Sequence, residues 1–272
     1  MNNYMKEILQ FLLGVLLFVA GKWLMPSNIA PELMGAGIIL VASLVFLDGS
    51  FFLIKYRNRI VPLLQSIRPF GRKELRISIA YLMRIELNGR YLLVRNDRGQ
   101  SGFQPVGGVY KYFFPEGYKE LQDLGVFTDN NIETDAHSEH DLRCVIDKRS
   151  KLLKFLKWFD KGKNRELDPW REFHEELVNT NILPQTNFRY FQYEKVGIDS
   201  RPITYSEHFK IYEYLYADIF RPKFTNDQLT ALRALQQKGH PDILFATRDE
   251  IMKGNSGANQ ILPHTKKIFK TL

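Results

Sequence analysis

Two long apolar runs open the chain, and a shorter alternating pattern replaces them. Met5 to Leu24 is twenty residues whose charges, Lys6, Glu7 and Lys22, fall near the ends, and Leu33 to Ile54 is twenty-two residues interrupted only by Asp48. At roughly 1.5 Å rise per residue either run covers the hydrocarbon layer of about 30 Å. The pattern predicts a two-helix transmembrane hairpin in residues 1–58, with spans at about 5–24 and 33–54 and MPSNIAP as the turn. A second span directly after the first argues against a cleaved signal peptide. Lys55, Arg57, Arg59, Arg68, Arg72, Lys73 and Arg76 follow the second span, against Lys22 alone in the short loop. This asymmetry places both termini in the cytoplasm of a multi-pass membrane protein and makes 59–74 a basic juxtamembrane linker. The basic stretch reads as topology signal and lipid-headgroup contact rather than as a site for a nucleic acid polymer.

Inside the second run, Gly35, Ala42 and Gly49 recur every seven residues. Small residues on one face let helices approach closely in a membrane. The stripe serves either packing within the hairpin or contact between protomers of a homo-oligomer. Asp48 beside it reads as an interfacial anchor or as a polar lining in an assembled state.

From Arg76 the period becomes two. RISIAYLMRIEL, Asn88-Gly89 and RYLLVRN predict a β-hairpin, because Asn-Gly supplies the positive φ angles of a tight turn. QPVGGVYK follows, and Gly107-Gly108 permits close backbone approach, either to a phosphate or within an ordinary loop. NFRYFQYEKV and HFKIYEYLYADIF alternate as antiparallel strands, and NDQLTALRALQQKG predicts a helix opened by Asn226. Residues 75–272 thus form one α+β domain. Within it, Leu152, Leu153, Phe155, Leu156 and Phe159 make one helical face.

Charged residues at 25% and hydrophobic residues at 44% exclude an intrinsically disordered chain, and the single Cys144 excludes a disulfide framework. A net charge of +8 points to an anionic partner without choosing among nucleotide, nucleic acid and lipid.

DPWREFHEEL, Asp168 to Leu177, carries the most chemistry. Asp168 as cap and Pro169 at the first position start a helix that sets Glu172, Glu175 and Glu176 on one face. Such a triplet is either a solvated acidic face or a ligand set for a hard divalent cation. Arg171-Glu172-Phe173-His174-Glu175-Glu176 resembles the second half of the Nudix box, and Pro105-Val106-Gly107-Gly108 is similar to its opening. ILFATRDEIMKG and HTKKIFKTL resemble the late strand, short helix and closing helix of the same fold. The resemblance implies an α/β/α sandwich with a mixed sheet, with Glu172, Glu175 and Glu176 as ligands if a metal such as Mg²⁺ is bound. The box is split, however. Arg171 stands 63 positions after Gly108 instead of 14, leaving 49 extra residues in an insert at about 109–167. Phe114 stands where the box has a glutamate and Val178 where it has a glycine, so no residue is assigned a catalytic role. Glu116 or Glu166 is the candidate replacement partner for Arg171.

Two spans joined to such a domain resemble the two-transmembrane SMODS-associated Nudix effectors, CD-NTase-associated proteins of bacterial cyclic-oligonucleotide anti-phage signalling (CBASS). The resemblance implies an inner-membrane effector whose cytoplasmic domain binds a cyclic di- or trinucleotide, needs no cofactor, and triggers membrane disruption by the hairpin. Phosphate candidates are Arg95, Gly107, Gly108 and Arg171, with Arg143 and Arg149 nearby. Tyr110 and Tyr112 are candidates for base stacking. The alternatives are a membrane-anchored Mg²⁺-dependent Nudix hydrolase of a nucleoside diphosphate derivative and a protein-binding anchor.

Overall fold

The computed structural model describes residues 57–67, 73–96, 101–129 and 138–272. The expected hairpin and its small-residue stripe lie outside these residues. Among the described residues no helix is long and apolar enough to cross a membrane. The chain divides into two compact units, Met1–Ile60 and Val61–Leu272, and the second holds the sheets.

The stretch read as a linker contains a helix, α1 (Ile60–Ser66), with Pro62, Leu63 and Ser66 buried. Gln65 clips it to the domain: Oε1 accepts from Ile203 N–H at 2.7 Å and Nε2 donates to Ile203 C=O at 3.4 Å.

Strand β1 (Leu75–Met83) is mostly buried along its length, as a central strand covered on both faces must be. It runs parallel to the strand formed by Ile211–Lys223, with Arg76 opposite Glu213 and Met83 opposite Phe220. The expected hairpin is therefore only partly right. Asn88 and Gly89 do adopt positive φ, 51° and 73°, but only β2 (Glu86–Leu87) turns back onto β3 (Arg90–Asn96). β1 belongs to the other sheet, because a strand buried on both faces is better satisfied between two neighbours than in a two-stranded ribbon.

The insert extends the central sheet. Its parts are the end of β5 (Gly107–Val109), α2 (Glu116–Asp123), β6 (Val126–Thr128), β7 (Arg143–Ile146) and α3 (Leu152–Lys161). β5 and β7 pair antiparallel with β1, and β6 pairs with β7. With β8 (Gln192–Ser200) and β10 (Ile211–Lys223) the order is β6-β7-β1-β10-β8, and β9 (Thr204–Ser206) adds to β10. α3 buries Leu152, Phe155, Leu156, Trp158 and Phe159, so Trp158 joins the apolar face and Leu153 sits at its margin. Gly162, in the left-handed region at φ 64°, ends it.

The second sheet holds β2, β3, β4 (Gly102–Gln104) and β11 (Ile243–Thr247). Alternation along β3 divides the cores. Leu92 and Val94 pack with Phe173 of α4 (Trp170–Phe173) and with Leu232 and Leu235 of α5 (Asn226–Lys238). Leu93 faces Phe103, Ile251 of α6 (Arg248–Lys253) and Ile268. The larger sheet is mixed, with β1 and β10 parallel, whereas the ladders of the β3 sheet are antiparallel, and helices pack on both sides of β3, in keeping with the expected α+β fold. Two local details differ. Thr225, not Asn226, caps α5 through a reciprocal capping box with Gln228, and the segment from His264 lies in a 3₁₀ helix, Pro263–Phe269.

Candidate functional site

The glycines of β5 have close neighbours on two elements, the β1 backbone at Gly107 and the Glu172 side chain of α4 at Gly108. A Cβ on Gly108 would stand 1.9 Å from Glu172 Oε1, and one on Gly107 would stand 2.3 Å from the Tyr81 carbonyl across the β1 pairing. The glycine pair is thus a strand against which a helix docks, and not an open phosphate loop. Gly107 N–H donates to Glu176 Oε2 at 3.2 Å, so this amide is engaged within the protein.

The helix starts one residue later than expected, at Trp170 with Pro169 in the cap position, and Asp168 steadies this start through its Oδ1, which accepts from Trp170 N–H at 3.0 Å. After Phe173 the helix widens into a π turn, His174–Val178, closed by Asn179 N–H donating to the His174 carbonyl. One extra residue per turn rotates Glu175 and Glu176 away from the ideal i, i+3, i+4 alignment with Glu172, and such turns recur at functional sites.

Arg171 is the hub. Its Nε donates to Glu166 Oε1 at 3.1 Å, its Nη2 to the Val109 carbonyl at 2.8 Å, and its Nη1 to Glu172 at 2.5 Å and Glu175 at 3.4 Å. Glu166 therefore replaces the missing box glutamate, while Glu116 lies in the first turn of α2. Glu166 also accepts from Lys111 N–H at 3.2 Å, which ties both ends of the insert to the hub. Burial raises the Glu166 pKa, against the pull of Arg171. Burial disfavours the guanidinium too, but Tyr81, Glu172 and Glu166 outweigh it and hold its pKa above the usual range.

Beside this hub lies a cleft of about 780 Å³, within the size range of small-molecule sites. Gly107, Gly108, Glu172, Glu175 and Glu176 line one side, and Arg95 and Arg143 contribute the cations. Arg95 donates from Nε to Asp242 Oδ1 at 3.0 Å and Arg143 lies 3.7 Å from Asp141. Burial raises the Asp141 pKa to about 7, against Arg143 and Lys111. Nothing local in the sequence marked Asp141, since its role depends on the insert folding back over the cleft.

A shallower groove of about 340 Å³ includes Lys111, Tyr112, Phe113, Phe114, His140 and Arg171. Phe113 and Phe114 are more than half exposed, and the Phe114 and His140 rings stack at 5.7 Å with 7° between their planes. Tyr112 borders this groove, but Tyr110 does not belong to it. Tyr110 is buried against Tyr81 and Phe159, and its hydroxyl donates to Asp218 at 3.0 Å. Both tyrosines lie beyond the end of β5, and their backbones are held differently, Tyr110 N–H donating to the Ile79 carbonyl of β1 and Tyr112 N–H to the His140 carbonyl, so the two rings do not share one strand face. Arg149 is also withdrawn from any phosphate, buried 3.7 Å from the centre of the Tyr212 ring.

The fold family implies a divalent cation at the glutamates. Among the described residues no three acidic, histidine or cysteine side chains are disposed to hold one. Glu172 and Glu175 share Arg171 Nη1, and Glu176 accepts from Gly107. This arrangement does not fit the metal, because all three carboxylates are already engaged within the protein.

A search of curated proteins finds no match to the chain. The family model of the SMODS-associated NUDIX domain matches residues 74–269, which includes both sheets, the glycine pair, the insert and the Arg171 hub. The chain belongs to the SMODS-associated NUDIX domain family.

Proposed function

We propose that the domain is the cyclic-nucleotide receptor of an anti-phage membrane effector, binding a cyclic di- or trinucleotide without consuming it. The observation that carries this reading is Arg171, which engages two glutamates that a Nudix hydrolase would present to metal. Family membership supports it, as do Arg95 and Arg143 on the cleft and the aromatic groove containing Tyr112. In this reading the arginines meet the phosphates and the groove takes a base. The membrane half rests on the apolar runs Met5–Leu24 and Leu33–Ile54 and places the protein in the bacterial inner membrane, where a ligand-driven homo-oligomer disrupts the lipid barrier. The test is calorimetry of the full chain in detergent against cyclic di- and trinucleotides, with and without Mg²⁺, followed by chromatography of the recovered ligand. Saturable binding with intact ligand is expected. Mg²⁺-dependent breakdown would transfer the case to the hydrolase.

A further inference from the structure

We infer that α1 is an interfacial helix whose outer face lies in the headgroup layer of an anionic membrane. The inner face of α1 is accounted for: Pro62, Leu63 and Ser66 are buried and Gln65 is clipped to Ile203. Its outer face is apolar as well. Val61, Leu64 and Ile67 are 53%, 65% and 58% exposed, and their spacing of three puts them on one stripe. A short helix with apolar residues on both sides suits a place between a protein core and a second apolar medium.

Two observations select lipid as that medium. No acidic residue occurs between Asp48 and Glu74, whereas Lys55, Arg57, Arg68, Arg72 and Lys73 flank the helix in sequence, a charge balance complementary to anionic headgroups. Ile54, the last residue of the second apolar run, is seven positions before Val61. Even a fully extended connection of that length reaches only about 25 Å, so a run ending at the bilayer surface keeps α1 within reach of it. The inference rests on the membrane reading of that run. Its consequence is that α1, fixed to the domain through Gln65, would orient the domain against the membrane.

The test uses the full chain reconstituted in vesicles containing phosphatidylglycerol, with Leu64→Cys carrying an environment-sensitive fluorophore. Cys144 is buried and its thiol pKa is pushed up to about 12, so labelling falls on the introduced site. Flotation first establishes membrane association. In vesicles with brominated acyl chains the probe should lose emission roughly two-fold, as for a group about 5–10 Å into the interface. A probe at Met252→Cys, an exposed site on α6, should not. A chain that floats while the Leu64 probe behaves like the Met252 probe overturns the inference and leaves the membrane reading standing. A chain that does not float removes both. A probe signal that ignores bromine but follows protein density in the vesicle assigns the face to a second copy instead, and also overturns it.

Discussion

Replacing Arg171 by methionine tests whether the hub holds the split box together. Methionine keeps much of the aliphatic packing but removes every hydrogen bond of the guanidinium. Glu166 and Glu172, whose side chains are 13% and 16% exposed, then lose their shared cation, and the Val109 carbonyl loses its donor. Breaking a fully buried pair costs about 3–5 kcal/mol. Arg171 is itself 21% exposed and Glu166 keeps the Lys111 amide. These lower the expected loss to about 2–3 kcal/mol, since water reaches the orphaned carboxylates. Lysine restores the charge but not the planar fork, so about half of that loss should remain. Urea unfolding of residues 61–272 measures both variants. A double-mutant cycle with Glu166→Gln isolates the pair, with an expected coupling of about 1–2 kcal/mol. If Glu166→Gln costs as much in the Arg171→Met background as in the parent, Glu166 is not the replacement partner and the hub account fails.

Three further outcomes follow from the same geometry. Gly107→Ala should cost more than Gly108→Ala, about 3 against 1–2 kcal/mol on denaturation, because the first methyl meets the Tyr81 backbone and the second meets a side chain that rotates. Equal losses would refute that distinction. For Asp141 the folded pKa of about 7 lies above the unfolded value of about 3.9, the reverse of a salt-bridged carboxylate, so its contribution is fully present below pH ~4 and is lost as pH rises toward 7. Asp141→Asn should flatten that part of the stability profile, by up to about 4 kcal/mol between the two pH values, and an unchanged profile counts against the burial argument. In the receptor reading, Phe114→Ala should weaken calorimetric affinity for the cyclic nucleotide by about ten-fold, as for loss of one stacking contact, with unfolding unchanged because the ring is 61% exposed. Unaltered affinity would move the base elsewhere.

Much of the domain is legible in its sequence, because short-range patterns report short-range physics. Asn88-Gly89 announced a turn, Asp168 announced a helix start, and RE-apolar-xEE with an upstream Gly-Gly pointed to the family that matches residues 74–269. The alternating and helical periods pointed to strands and helices in one stretch, and the resemblance supplied the mixed α+β sheet. They did not reveal which strands would pair. β1 looked like half of a hairpin, yet its partner is β10, more than a hundred residues away, because strand neighbours are chosen by burial on both faces and by chain closure. The insert looked like an interruption, but β6 and β7 extend the central sheet. The sequence offered both Glu116 and Glu166 as partners for Arg171, and the fold selects Glu166, five positions before it, while Glu116 goes to α2. Tyr110 and Tyr112 are equivalent as letters; the first is held against β1 with its ring in the core beside Asp218, while the second is held by the His140 carbonyl and stays at the groove. The π turn at His174–Val178 is likewise a tertiary outcome, since HEEL alone equally suits an ordinary helix. Sequence therefore determined which chemical groups were available and the local backbone they favour, while the folded chain decided which charges neutralise one another, because that depends on distances between residues far apart in sequence.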